Sequence, residues 1–228
     1  CLPSIPYSRW GPATPMPRFP YCCRPCRESV NRRLAPMSIL VRGPTPRGSH
    51  ETRMAEAAEA ADELGARRIT LGLPNRYLFD HVDARTALAE VLRIERPNIV
   101  FVPYPEDAHP DHVAASSIAE AARFYAKLTK TDMAGDPHYP ARAYRYMAVH
   151  LRLVREPSFL VDISETLDTK LRALGAYRSQ FAENPANDGV VEAIGAQARM
   201  WGAIGRVGAA EPFFAIEPPV VASPLDVR

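Results

Sequence analysis

The sequence predicts an α/β fold, a Rossmann-like parallel sheet flanked by helices. Two observations carry this. From about residue 50 onward, helix-like and strand-like stretches alternate, as in layered α/β proteins. The run N-I-V-F-V-P-Y (98–104) is continuous, β-branched and aromatic, the texture of a strand buried on both faces of a parallel sheet.

Taken in order, Ser49-His50-Glu51 can open a helix. The Ala- and Glu-rich E-T-R-M-A-E-A-A-E-A-A-D-E-L continues it and Gly65 is its stop. Arg67-Arg68 lead into I-T-L-G-L, a short strand closed by Pro74. Residues 84–95 read as an amphipathic helix that Pro97 ends, because the position before a proline avoids the helical region. The strand 98–104 follows, and 112–128 are helical again. A-Y-R-Y-M-A-V (143–149) and S-F-L-V-D-I-S (158–164) are strands. Ser164 or Thr166 caps a helix over 166–181, 182–189 form a loop, 190–205 are helical, and E-P-F-F-A-I (211–216) is a last strand.

Before residue 47 the texture differs. Residues 1–50 hold eight arginines and one acid, Glu28, giving +7 against +2 for all 228 residues, so the remainder carries −5. All four cysteines and ten of the 23 prolines lie there as well, and the prolines interrupt any helix or ladder. Three readings fit residues 1–46: a disordered basic arm that touches nucleic acid or membrane, a Cys22/Cys23/Cys26 metal knuckle, or an out-of-frame reading of GC-rich coding sequence. The third is preferred, since the knuckle lacks a fourth ligand and the arm lacks an aromatic stacking pattern. Residues 47–228 then form a single α/β domain. No cysteine supports it, so it depends on its apolar core. No stretch approaches a transmembrane span or a signal peptide, so the expectation is a cytoplasmic protein with no membrane or nucleic-acid partner.

The chemistry concentrates in Y-P-E-D-A-H-P-D-H-V (104–113), directly after the strand 98–104. In open α/β sheets, ligands bind beyond the carboxyl ends of the strands. Pro110 fixes the backbone between His109 and Asp111. Neutral imidazole is a common zinc ligand, and a second histidine beside a carboxylate can serve an oxyanion or a leaving amine. The plainer alternative is that Asp111 caps the helix and both histidines sit on a solvated loop. H-P-D-H is short, and the histidine pair lacks the i, i+4 spacing of the familiar zinc-protease helix.

Residues 48–217 resemble the LmbE-like/PIG-L family of zinc-dependent N-acetylglucosaminyl deacetylases, above all its bacillithiol-biosynthesis branch. Four ordered pieces carry the resemblance: R-G-S-H-E-T-R-M, the strand with E-D-A-H-P-D-H, F-L-V-D-I-S-E-T-L-D-T-K-L-R-A-L-G-A-Y-R-S-Q-F, and A-E-P-F-F. It implies a Rossmann-like deacetylase fold, zinc as cofactor, an N-acetylglucosamine conjugate such as N-acetylglucosaminyl malate as substrate, and a homo-oligomer. By position it implies that His112 is a zinc ligand and that His109, with Asp111 as neighbour, assists the tetrahedral intermediate. It also implies that Arg53 lies near the sugar and Arg142 at the substrate opening. The family begins with a strand and A-H-P-D-D, which complete the metal site and supply the general base. This chain contains no H-P-D-D. Ala108 stands where an arginine is frequent, and Asn75 where L-P-D is usual. The expectation is therefore half of a site and weak or absent activity. A non-catalytic sugar-binding or oligomer-forming relative is the alternative.

Other residues have plainer readings. Asp80, His81 and Asp83 are poor replacements for the missing ligands. His150 is a structural or rim residue, and His50 and His138 are solvated. Tyr144 and Tyr146 share one sheet face. Met200 and Trp201 are helix core, Asp162 orders a strand end, and Tyr177, Ser179 and Gln180 serve packing or oligomer contacts. No Gly-rich phosphate loop is present.

Overall fold

The computed structural model describes residues 41–42, 49–147 and 155–223, all within one compact unit, Leu34–Arg228. His150 lies outside the described residues, as does nearly all of the segment 1–46. The exception is Val41–Arg42 (β1), which pairs in parallel with Leu73–Pro74 (β2). A strand pair therefore falls inside the stretch whose sequence shows no strand periodicity. The expected strand 69–73 survives only as β2.

Helix α1 (His50–Glu63) starts where expected. Ser49 is its N-cap, and its hydroxyl accepts the Thr52 N–H at 3.1 Å. Helix α2 (Val82–Glu95) is capped by His81, whose Nδ1 accepts the Ala84 N–H. Strand β3 (Ile99–Pro103) leads into α3 (Pro110–Ala126). Strand β4 (Arg142–Tyr146) and strand β5 (Phe159–Asp162) follow, then α4 (Leu167–Gly175), α5 (Val190–Gly205) and β6 (Ala210–Ala215). The helix expected over 166–181 stops early and passes into turns and a short 3-10 segment, Pro185–Asn187.

The four-stranded sheet has the order β3-β4-β6-β5. Strands β3 and β4 are parallel, with Ile99 opposite Arg142 and Pro103 opposite Tyr146. Strand β6 runs antiparallel to both β4 and β5. The fold class is the expected α/β sheet flanked by helices. The sheet is mixed rather than wholly parallel because β6 enters between two strands that share a direction.

One sheet face carries Val102 and Ala143 and is buried under α2 and α3. Leu88, Leu92, Ile118, Ala119, Ala122 and Ala126 join Val102 and Leu78 in the core. Small alanines at the contact let these helices lie close. The opposite face corrects the expectation of a fully buried β3: Ile99 and Phe101 remain 38% and 43% exposed. Successive side chains point to opposite faces, and on this side Phe101, Tyr144, Phe159 and Phe213 pack on one another with ring centroids 4.8–6.0 Å apart. Tyr146 is on the same face by register, as the alternation predicts.

Trp201 is buried as expected, whereas Met200 is exposed, because neighbouring helix positions lie about 100° apart and only one can meet the sheet. Asp162 orders its strand end by accepting from the Ser164 N–H and hydroxyl. Ser179 is buried and donates its N–H and hydroxyl to the buried Glu56 carboxylate, at 2.6 and 2.7 Å. His138 is more engaged than a solvated loop residue: its Nε2 meets the Pro97 carbonyl oxygen at 2.8 Å.

Candidate active site

The carboxyl end of β3 and the first turn of α3 bring Asp107, His109, Asp111 and His112 together. Pro110 occupies the first helical turn, where its missing N–H costs nothing. His109 is the N-cap, with extended backbone, and its Nδ1 accepts the Asp111 N–H at 3.2 Å. Asp107 is the hinge of the loop. Its side chain is 4% exposed. One carboxylate oxygen accepts the His109 N–H at 2.7 Å and the other meets His112 Nδ1 at 3.0 Å. The two imidazoles stack, with centroids 4.8 Å apart and planes 20° apart.

This geometry assigns opposite tautomers. An ionised carboxylate only accepts, so His112 carries its hydrogen on Nδ1 and presents the lone pair of Nε2. A buried carboxylate on one ring nitrogen is the arrangement that orients metal-binding histidines and raises their basicity. His109 accepts at Nδ1, so its N–H is at Nε2 and acts as a hydrogen-bond donor.

Asp111 does different work from that expected by its place in the motif. It is buried, and its carboxylate accepts the N–H groups of Arg76, at 2.6 Å, and Leu78, at 3.3 Å. Its side chain thus pins the loop after β2 to the start of α3, while its backbone N–H serves His109. Asp111 is a positioning residue for both segments.

Arg53 lies in α1. Its guanidinium is pushed below its usual range by burial, against the opposing pull of Glu56 and Tyr177. Its Nε is buried with no hydrogen-bond partner, a state that costs free energy unless a ligand satisfies it. Arg142 begins β4 opposite Ile99, at the end of the parallel pair away from His109 and His112. Within this chain the sheet does not bring Arg142 to the cluster. Asp80 is taken up by Arg85, at 2.6 and 2.7 Å, and His81 by its capping bond. Neither is turned to the histidines.

Sequence reasoning left two groups in the background. Asp107 was readable only as one of several loop acids. The signal that separates it from Glu106 is its position two residues before an N-cap and five before His112. Glu106 instead pairs with Arg155 at the surface, at 2.7 Å. Tyr146, at the end of β4, is the other. Burial and the nearby Asp107 charge push its phenol up, and its carbonyl accepts the Tyr104 N–H at 2.8 Å.

Among the described residues, no three His, Cys, Asp or Glu side chains converge as a metal site. The set therefore does not by itself hold the zinc that the resemblance implies. His112 has the carboxylate support of a metal-binding histidine, and a catalytic zinc takes three protein ligands.

A central α/β sheet flanked by helices is an architecture shared with several known proteins. The family described as PIG-L, GlcNAc-PI de-N-acetylase, matches residues 36–123, which span β1 to α3. The crystal structure of the conserved protein TT1542 from Thermus thermophilus superposes with a TM-score of 0.75 at 38% identity, covering 86% of this chain and 87% of that one. An N,N'-diacetylchitobiose deacetylase from Pyrococcus horikoshii, complexed with its inhibitor, gives a TM-score of 0.61 at 25% identity, over 74% and 64% of the two chains. A diacetylchitobiose deacetylase of Thermococcus kodakarensis is 33% identical over 141 residues, 58% of this chain. The chain spans about half, 51%, of that relative's length. The likeness to the PIG-L family thus rests on residues 36–123, which hold the histidine cluster.

Proposed function

We propose that the described residues are part of an N-deacetylase site for an N-acetylglucosamine conjugate, and that activity is impaired in this chain. The observation that carries the reading is the Asp107–His112 contact with His109 stacked beside it. It is supported by the match of residues 36–123 to the PIG-L family and by likeness to two diacetylchitobiose deacetylases. The reaction adds water across an amide: the C–N bond breaks, acetate leaves, and the amine takes a proton.

The residues of this chain supply part of that chemistry. His109 Nε2–H is a hydrogen-bond donor suited to the oxyanion of the tetrahedral intermediate. Asp107 holds His112 in one tautomer and one orientation. The unpartnered Nε of Arg53 is suited to a sugar hydroxyl or to the acidic aglycone of a glycoside such as N-acetylglucosaminyl malate. Zinc is the proposed cofactor, with His112 as one ligand.

The test is acetate release from N,N'-diacetylchitobiose and from N-acetylglucosaminyl malate. Residual release that falls to background in both His112→Ala and His109→Ala is expected. Release unchanged by either substitution would overturn the reading. The absence of a three-ligand group among the described residues favours, as the second reading, a sugar-binding relative without catalysis. That reading predicts binding of the acetylated sugar with no acetate formed.

A further inference from the structure

The loop between β2 and α2 shows two large aromatic side chains to solvent: Tyr77 is 80% and Phe79 72% exposed. Between them Leu78 is buried in the core. The loop is fixed. The N–H groups on either side of Tyr77, those of Arg76 and Leu78, both end on the Asp111 carboxylate. Arg76 holds φ 66°, a left-handed conformation that non-glycine residues seldom adopt outside constrained sites. Exposed aromatics on a pinned loop add nothing to the core, and such patches mark binding surfaces. Asp111 adjoins His112 in the first turn of α3, so the residue that anchors the loop is part of the site.

We propose that Tyr77 is a specificity-determining residue that stacks on the pyranose ring of the substrate. This rests on the deacetylase reading above. A pyranose presents a face of C–H groups between its hydroxyls. A tyrosine offers a flat, rigid face with few torsions to freeze and a hydroxyl that can reach the ring's oxygens. Phe79 lacks that hydroxyl and lies on the other side of Leu78, next to the Asp80–Arg85 pair.

The test is ligand-observed NMR titration of the full chain with N,N'-diacetylchitobiose and, as a ringless acetamide, N-methylacetamide, with the mass of the particle followed by light scattering. Tyr77→Ala is expected to weaken disaccharide binding about 5- to 10-fold, Tyr77→Phe to stay within about 2-fold, and neither to alter N-methylacetamide binding. Because Tyr77 is exposed, its replacement leaves the fold intact, checked by an unchanged melting profile. Disaccharide binding equal in wild type and Tyr77→Ala overturns the proposal and leaves the deacetylase reading standing. A change in particle mass with sugar affinity unchanged also overturns it, in favour of contact with a second copy of the chain. No disaccharide binding by wild type overturns both.

Discussion

Replacing Asp111 with alanine separates a structural role at the site from a chemical one. The substitution removes the acceptor for two backbone N–H groups, Arg76 and Leu78, on a loop whose central anchor is buried. Hydrogen bonds to a charged acceptor contribute about 1.5–3 kcal/mol each. The 3.3 Å bond to buried Leu78 is the weaker of the two, and the Arg76 N–H, once freed, recovers part of the loss by bonding water. The expected cost is about 3 kcal/mol, which for a chain of this size lowers the melting temperature by about 6–12 °C. Urea unfolding measures the free energy. Limited trypsin digestion measures the loop directly, because the Arg76–Tyr77 bond becomes cleavable once the loop is released. An Asp111→Ala protein that melts within about 1 °C of wild type and keeps Arg76 protected would refute the anchoring role.

Three further outcomes follow from the geometry. Long-range proton–nitrogen NMR should show His112 protonated at Nδ1 and His109 at Nε2, with Asp107→Asn disturbing the first more than the second; identical tautomers in wild type would contradict the bonding described. Hydrogen bonds from Arg85 hold the Asp80 carboxyl below its usual range. A lowered folded pKa stabilises above the unfolded value and is lost as pH falls through the folded one, so Asp80→Asn should lower the melting temperature at pH 7, with the gap to wild type closing below about pH 4. A gap that persists or widens in acid would be the wrong sign. In α5, a Cβ on Gly202 would stand 2.6 Å from Ala209 Cα and 2.7 Å from its nitrogen. Gly202→Ala should therefore cost about 2–3 kcal/mol in urea unfolding, because neither backbone can yield without loss of packing. A neutral result would contradict that close approach.

Much of this molecule is legible from its residues, for reasons that differ between elements. Helix α1 announces itself through Ser49 and an Ala/Glu run, and the described structure confirms the cap. Strand β3 is readable as a strand but not as half-open. Nothing local in I-V-F-V-P says that Phe101 rests against Tyr144 and Phe213, which are 43 and 112 residues away in sequence. The direction of β6 is likewise non-local. A-E-P-F-F-A gives a strand, and only the register with β4 and β5 makes it antiparallel. At the site, H-P-D-H marks the place. The division of labour depends on which carboxylate reaches which donor. Asp107, two positions before the cap, takes His112, while Asp111, inside the motif, accepts from Arg76 and Leu78. Pairings across 33 and 35 residues cannot be read from spacing alone.

The most direct test of a divided site is zinc content measured together with acetate release on this chain, with and without a chelator. Less than one zinc per chain after desalting is predicted, with only traces of acetate released from N,N'-diacetylchitobiose, because no group of three metal-ligating side chains forms among the described residues and the sequence contains no H-P-D-D. One tightly held zinc per chain with robust, chelator-sensitive acetate release would contradict the divided site outright.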